Sequence, residues 1–430
     1  MIDIKNLRSN LDAYRKAAKD KNLDIDFEAF VAIDERRRFL IQSEESLKAE
    51  QNQLSKSKPD ESAKNKLSKI KQEIKDLSSK LIDTQKEYDS IMCKMPTIPA
   101  PDTPIGQDSQ GNVEIMRHGE IPHFDFPAKD YLQLAKDLDI LDTERGVETS
   151  GFRGYYIKNE GVILMLAFLF YALKKLSSKG YRPMIPPTLV KDFVLFGSGY
   201  FKGLEYDQNI DEVYQVSGSK KEEKGKQFLV GTAEPSLLAY YHDKILSEES
   251  LPIKVCGYSQ CYRSEIGSYG KDLNGIYRVH EFMKIEQVVI CSADLSSSEA
   301  AMSEMIKNAE ELHQDLGLPY RLLRLCSGDL SAGKYKSLDI EAWMPGRGKY
   351  GETGSASNFL DWQARRLNIK YKTKDGEKKY AYLLNDTALP SPRIFIALLE
   401  NHQQADGSVK IPEVLIPYTG FSVIKPKKML

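Results

Sequence analysis

Apolar residues along the first hundred positions recur at steps of three and four. Leu67, Ile70, Ile74, Leu77 and Leu81 form one stripe, which Tyr88 and Ile91 continue. This is the a/d spacing of a helix packed along a partner. Upstream, Ile33, Leu40, Leu47 and Leu54 repeat every seven residues, with Arg37, Glu44 and Gln51 at the alternate seam positions. Between the stripes lies KSKPDES, Lys56–Ser62, whose Pro59 ends a helix and permits a reversal. The pattern predicts two antiparallel helices of about thirty residues, roughly 45 Å long at 1.5 Å per residue. A central proline and a half-polar first seam favour a hairpin projecting from one chain over a simple dimerisation coiled coil.

Met95–Asp108, MPTIPAPDTPIGQD, is too dense in proline to continue a helix and reads as a linker. It divides the chain into an arm with its linker, 1–108, and a larger domain, 109–430. In the larger domain an apolar helix, Gly161–Gly180, runs into YRPMIPPTLV, and short strands then alternate with turns. The expected fold class is α+β, a mainly antiparallel sheet flanked by helices. No glycine fingerprint sits between a strand and a helix, and GSGYFKG at Gly197–Gly203 lacks a Lys-Ser/Thr ending. Rossmann and P-loop folds are thereby excluded.

The richest chemistry lies in CYRSEIGSYGKDLNGIYRVHEFMKIEQ, Cys261–Gln287. Its pattern is strand, long turn, strand. Arg263 and Glu265 are two apart and share a face if extended, and Arg278, His280, Phe282, Lys284 and Glu286 alternate onto one face. Arginines meet phosphates, a ring stacks on a base, and carboxylates take amino protons or a metal. Thr232 and Glu234 alternate in the same way within GTAEPSL, Gly231–Leu237.

Composition narrows the partners. The chain has 430 residues, 41% hydrophobic, with 61 Lys+Arg against 62 Asp+Glu. With no global basic excess, RNA contacts would rest on local patches such as Arg36, Arg38, Lys48, Lys56, Lys58, Lys64, Lys69 and Lys75 on the hairpin. Five cysteines without framework spacing point to a reducing compartment. Cys256 and Cys261 lack a second pair or a His-x-His cluster, so no zinc is expected. The most apolar run, Val162–Leu173, is too short to span a bilayer, and no leader segment is visible. A cytoplasmic protein without a membrane partner is expected.

Four segments, in order, resemble the seryl-tRNA synthetase branch of the class II aminoacyl-tRNA synthetases. They are GTAEPSL; YRSE followed by a glycine-containing loop and RVHEFMKIE; ETGSASNFLDWQARR at Glu352–Arg366; and LNDTALPSPRIFIALLENHQ at Leu384–Gln403. The resemblance implies a class II sheet with motif 1 near 161–190, motif 2 near 255–290 and motif 3 near 384–403. It implies that the arm grips tRNA(Ser) and that the motif 1 helix lies at a homodimer interface. L-serine and ATP would be the small substrates, with Mg²⁺ beside the phosphates.

The same resemblance assigns roles. Arg263, Glu352 and Arg393 would be catalytic, with Arg263 bridging the α-phosphate and the serine carboxylate. Serine would meet Thr232, Ala233, Glu234, Arg263, Glu286, Asn385 and Thr387. ATP would meet Arg263, Ser264, Glu265, Arg278, Val279, Phe282, Glu352, Thr353, Gly354, Ser355 and Arg393, with Glu352 and Ser355 also holding Mg²⁺. Gly351, Gly354, Ala356 and the ALPSPR stretch depart from the usual family residues. Two alternatives stay open: an adenylate-forming ligase with a non-tRNA acceptor, and a catalytically reduced RNA-binding or scaffold paralogue. Charging of tRNA(Sec) also stays open.

Overall fold

The computed structural model describes residues 1–56, 60–217, 226–266 and 275–427. Two long helices, α1 (Phe27–Leu54, 28 residues) and α2 (Glu61–Met92, 32 residues), form the antiparallel arm. Asp26 and Asp60 cap them, accepting from the Ala29 and Ala63 amides at 2.8 Å each. Pro59 falls outside the described residues. The half-polar seam has partners: Arg37 donates to Gln85 at 2.5 Å and stacks on Tyr88, while Glu44 accepts from Ser78. At the root of the arm two short helices, Ile4–Ser9 and Leu11–Asp20, complete a small core. Leu7, Tyr14, Phe30, Tyr88 and Met92 meet there with Phe359 and Trp362 from the larger domain. Heptad spacing did not announce these two helices.

The larger domain is organised by an eight-stranded sheet. Its strands are β1 (Val113–His118), β2 (Arg182–Met184), β3 (Ile253–Tyr262), β4 (Glu281–Cys291), β5 (Tyr320–Arg324), β6 (Lys336–Met344), β7 (Lys349–Asn358) and β8 (Tyr382–Pro390). Their spatial order is β1-β5-β6-β7-β8-β4-β3-β2. Every neighbouring pair is antiparallel except β2 with β3. Three helices supply its apolar cover: α3 (Asn159–Ser178), α4 (Leu295–Asp315) and α5 (Ser391–Asn401). Leu164, Phe168, Met305, Leu312, Ile394 and Phe395 join Ile285, Val289 and Leu389 of the sheet in the main core.

At 20 residues α3 is longer than the apolar run alone indicated, and by length and composition it meets the requirement for crossing a membrane. One side of it, through Leu164, Met165, Phe168, Leu169, Ala172 and Leu176, is buried in the sheet core. That is how the core helix of a folded domain is built.

Two β-bulges interrupt the register of the central strands. Ile340 pairs with Gly354, but the next residue, Glu341, pairs with Glu352, which leaves Thr353 extra on β7. Ile285 pairs with Leu389 and Glu286 with Thr387, which leaves Ala388 extra on β8. A bulge re-aims the side chains beyond it. Glu352 thereby shares the open face of the sheet with Ser355 and Ser357, although Glu352 and Ser355 are three residues apart. Gly354 makes the first bulge possible. A Cβ there would lie 2.7 Å from both the Ile340 Cγ2 and the Thr387 carbonyl oxygen. Gly354→Ala is expected to lower stability by about 1–3 kcal/mol, measured by denaturant titration; an unchanged midpoint contradicts this account of the bulge.

Candidate active site

The open face of the sheet floors a cleft of about 860 Å³ whose walls include Thr232, Glu234, Arg263, Lys284, Glu286, Glu352, Ser355, Asn385 and Thr387. An adjoining recess of about 60 Å³ is lined by Arg263, Glu265, Arg278, Val279, Phe282, Glu352, Thr353, Gly354, Thr387 and Arg393. Arg263, Lys284, Glu352 and Thr387 border both spaces.

In the first space, Glu234 opens the short helix Glu234–Ala239, with Pro235 in its first turn. Thr232 and Glu234 were expected on one strand face. They lie instead on a turn and a helix start, because the proline sets a helical φ there. Asn385 donates to Glu234 Oε1 at 2.9 Å, and the Thr232 hydroxyl is buried with no hydrogen-bond partner among the described residues. Glu286 forms an ion pair with Lys284 at 2.6 Å and accepts from Thr387 at 3.0 Å. Burial pushes the Glu234 carboxyl up to about 7, and the nearby charge of Glu286 adds to it. Lys284 stands at the junction of both spaces and was not among the expected binding residues. Its place in the alternation Arg278–Glu286 was the available signal.

In the recess, the strand pairing extends one step past β3 and β4. The Arg263 amide donates to the His280 carbonyl, and the His280 Nδ1 meets the Arg263 carbonyl, both at 2.9 Å. Arg263 and Glu265 were expected on an extended strand, but β3 ends at Tyr262 and Glu265 has a left-handed φ of 55°. β4 likewise begins at Glu281, after Arg278 and His280. The turn residues 267–274 lie outside the described residues. Glu265 still meets Arg278, which donates to it at 2.6 Å. The Arg263 guanidinium lies 5.5 Å from the centroid of the Phe282 ring.

Arg393, in the first turn of α5, donates to the Glu352 carbonyl at 2.9 Å and pairs with its carboxylate at 3.2 Å. Desolvation works against ionisation of Glu352, but Arg393 and Arg263 outweigh it and hold its pKa below the ordinary carboxylate value. Neighbouring Asp339, opposite Ser355 in the register, is pushed up to about 8 by burial and by the Glu352 charge. Asp339 Oδ1 is buried and unpartnered among the described residues. The pattern did not single it out.

Two expected contacts lie off both spaces, and a third, Thr353, borders the recess but commits its hydroxyl elsewhere. Ala233 is fully buried against Leu237 and Val255, and Ser264 does not line either space. Thr353, the bulged residue, turns its hydroxyl to the buried His313 Nε2 at 2.7 Å, on the helix-covered face. The His313 Nδ1 is within 2.8 Å of the Ala309 carbonyl, so Nδ1 carries the proton and Nε2 accepts. Burial holds this histidine down at about 4, in the neutral form. At position 351, a Cβ would lie 2.9 Å from the Tyr277 hydroxyl, and the Tyr277 ring carries the Arg347 and Arg393 guanidiniums at 3.6 and 4.6 Å. The glycine departure is thus matched by a tyrosine filling its place. Among the described residues no three His, Cys, Asp or Glu side chains are grouped to hold a metal, and all five cysteines are buried and unbridged.

Antiparallel sheet, carboxylate-and-arginine cleft and helical arm together define a class. The description "tRNA synthetase class II core domain (G, H, P, S and T)" matches residues 214–402, and "Seryl-tRNA synthetase N-terminal domain" matches residues 1–99. The serine–tRNA ligase of Treponema denticola is 40% identical over 99% of this chain and 100% of its own length. That of Rubrobacter xylanophilus is 38% identical over the full length of both. The crystal structure of seryl-tRNA synthetase from Pyrococcus horikoshii complexed with ATP superposes with a TM-score of 0.89 at 34% identity, covering 100% of both chains. The Naegleria fowleri cytoplasmic enzyme, in complex with AMP, gives 0.85 at 31%, covering 97% of this chain and 96% of its own. The chain belongs to the seryl-tRNA synthetase family.

The raised pKa of Glu234 has a signed consequence for stability. Below the unfolded value near 4.5 the carboxyl is protonated in both states. As pH rises from there to about 7, the unfolded state ionises first and the fold loses stability. Glu234→Gln, which keeps an acceptor oxygen, is therefore expected to gain melting temperature relative to wild type between pH 5 and pH 8. A constant difference across that range contradicts the assignment.

Proposed function

We propose that this chain joins serine to ATP as seryl-adenylate, releasing pyrophosphate, and then passes the seryl group to the 3′ end of tRNA(Ser). The observation that carries this reading is the junction at Arg263. On one side lies a pocket with the buried acids Glu234 and Glu286 and the amide of Asn385. On the other lies a recess holding Glu265, Phe282, Arg278 and Arg393. Seen from the chemistry, an ammonium-bearing substrate and a nucleotide meet at one guanidinium.

In the first step a serine carboxylate oxygen bonds to the α-phosphorus while the bond to the bridging oxygen of pyrophosphate breaks. No protein nucleophile takes part. Arg263 holds the carboxylate against the α-phosphate and neutralises charge as it builds. Glu234 and Glu286 share the serine ammonium and hydroxyl, with Thr232, Asn385 and Thr387 closing around them. Buried polar groups that alanine would leave unpaired give the selectivity. Glu265 accepts from the adenine amino group, Phe282 stacks on the base, and Arg278 and Arg393 hold the terminal phosphates. In the second step the terminal ribose hydroxyl bonds to the serine carbonyl carbon and AMP leaves.

The donor set suits Mg²⁺. Glu352, Ser355 and the unpartnered Asp339 Oδ1 are all oxygen ligands, and a cation that keeps substrate phosphates in its shell needs few protein ligands. When bound, the ion neutralises phosphate charge beside Arg263 and Arg393. Residues 1–108 serve as arm and linker, and 109–430 as the catalytic domain. The arm exposes Lys64, Lys69, Lys71 and Lys75 along α2, which favours an RNA acceptor over a carrier protein. The outer side of α3 exposes Ile163, Leu166 and Phe170 (53%), and the following segment exposes Ile185 (82%). An apolar face of this kind suits a second copy of the chain. Buried unbridged thiols fit a reducing cytoplasm.

Serine-dependent ATP–pyrophosphate exchange with Mg²⁺ tests the reading, with threonine, alanine and glycine as competitors. Serine alone is expected to support exchange, and Arg263→Ala is expected to lower it at least about a hundredfold with the fold intact by circular dichroism. Exchange absent from folded wild-type protein overturns the proposal. For the dimer, Phe170→Asp is expected to move the sedimentation mass from two chains toward one. Wild-type protein sedimenting as a single chain contradicts the assembly.

A further inference from the structure

Glu234 Oε1 accepts two N–H donors, and only one of them, Asn385, comes from the expected pocket. The other is Gln363, fully buried on the short helix Trp362–Leu367 and absent from the cleft wall. Its amide nitrogen donates to Glu234 Oε1 at 2.6 Å and to the Ser198 carbonyl at 2.9 Å, so both its hydrogens are committed. With Oε1 satisfied by two amides, Oε2 is the oxygen left for a ligand.

The helix that carries Gln363 is held from the root of the arm. The Trp362 indole donates to the Met95 carbonyl at 3.0 Å, and its ring joins Leu7, Tyr14 and Met92 in the core at the root. Arg366 stacks on Trp362 at 3.6 Å, donates to the Phe196 carbonyl at 2.7 Å and reaches the Cys93 carbonyl. Arg365 pairs with Asp3 at 3.0 Å. The buried Lys21 ammonium donates to the carbonyls of Ser331, Ala332 and Lys334 at 3.2, 3.0 and 2.6 Å. Within that clamped loop lies Gly333, where a Cβ would meet the Trp362 ring at 2.6 Å.

We propose that Gln363 is the positioning residue of the serine-binding carboxylate Glu234, and that the root of the arm fixes it through Trp362 and Arg366. Amino-acid recognition then depends on Met95 and on Leu7, Tyr14 and Met92 at the root of the arm, none of which lines the cleft. The inference rests on the reading of this cleft as the serine site. The charged and titratable groups acting on Glu234 are Glu286 and Lys284 of β4, Lys334 of the clamped loop, and Tyr200. Loss of an N–H donor to the ionised form of Glu234 disfavours that form further.

The test is steady-state exchange kinetics on the full-length chain, varying serine and ATP separately from pH 6 to 9. Gln363→Met is expected to raise the KM for serine about ten- to hundredfold, to leave the KM for ATP within about twofold, and to shift the rise of serine KM at low pH upward by about one pH unit. Trp362→Phe keeps an aromatic ring of smaller size and removes the indole N–H that donates to Met95. It is expected to raise serine KM about three- to tenfold and serves if Gln363→Met does not fold. A folded Gln363→Met enzyme with wild-type serine KM and pH profile overturns the inference, as does an equal rise in both KM values. So does a Trp362→Phe enzyme with unchanged serine KM. Wild-type protein without serine-dependent exchange instead overturns the reading beneath it.

Discussion

A β-strand shows each face only every second residue, and this parity is the constraint on which the cleft depends. Glu352 and Ser355 are three apart, so an unbroken strand would send them to opposite sides of the sheet. The extra residue at Thr353 reverses the phase between them. It leaves Thr353 facing His313 under the helices and brings Glu352 round to Arg393 and Arg263. A second extra residue, Ala388, does the same work where β8 passes Glu286. The charge balance of the cleft follows from these two local insertions. Acids that would otherwise be scattered are gathered between Arg263, Lys284 and Arg393.

Gathered carboxylates repel, and the structure resolves this in two ways. Glu352 and Glu286 are each matched by a cation, at 3.2 and 2.6 Å. Glu234 and Asp339 are not, and their pKa values rise to about 7 and about 8. Glu352 stays charged beside Arg393, while the unpaired Glu234 and Asp339 titrate near neutrality, where an incoming cation changes their state. Covering the far face with α4 and α5 makes this arrangement rigid, because the sheet has a packed core behind it.

Much of this was legible in the sequence, for definite reasons. A heptad stripe and a proline break specify a helical hairpin, and α1 and α2 match that expectation. Ordered motifs with unusual charge, such as YRSE and RVHEFMKIE, located the residues that now border the two spaces. What escaped was phase and partnership. A bulge leaves no periodic mark, so the turning of Thr353 away from the open face was invisible. Thr232 and Glu234 have the spacing of strand neighbours, but Pro235 starts a helix there. The partners of Lys21, Gln363 and Asp339 carry no mark in the local sequence. Each side chain takes its meaning from groups far along the chain, such as Ser331 for Lys21 at a separation of 310 residues.

The polar seam of the arm has one more implication. Arg37 is matched to Gln85 and Tyr88, and Glu44 to Ser78. Sliding α1 past α2 would separate each of these pairs, whereas an all-leucine seam would tolerate the shift. Polar matching therefore fixes the register of α1 on α2, and with it how far each described helix extends from the root.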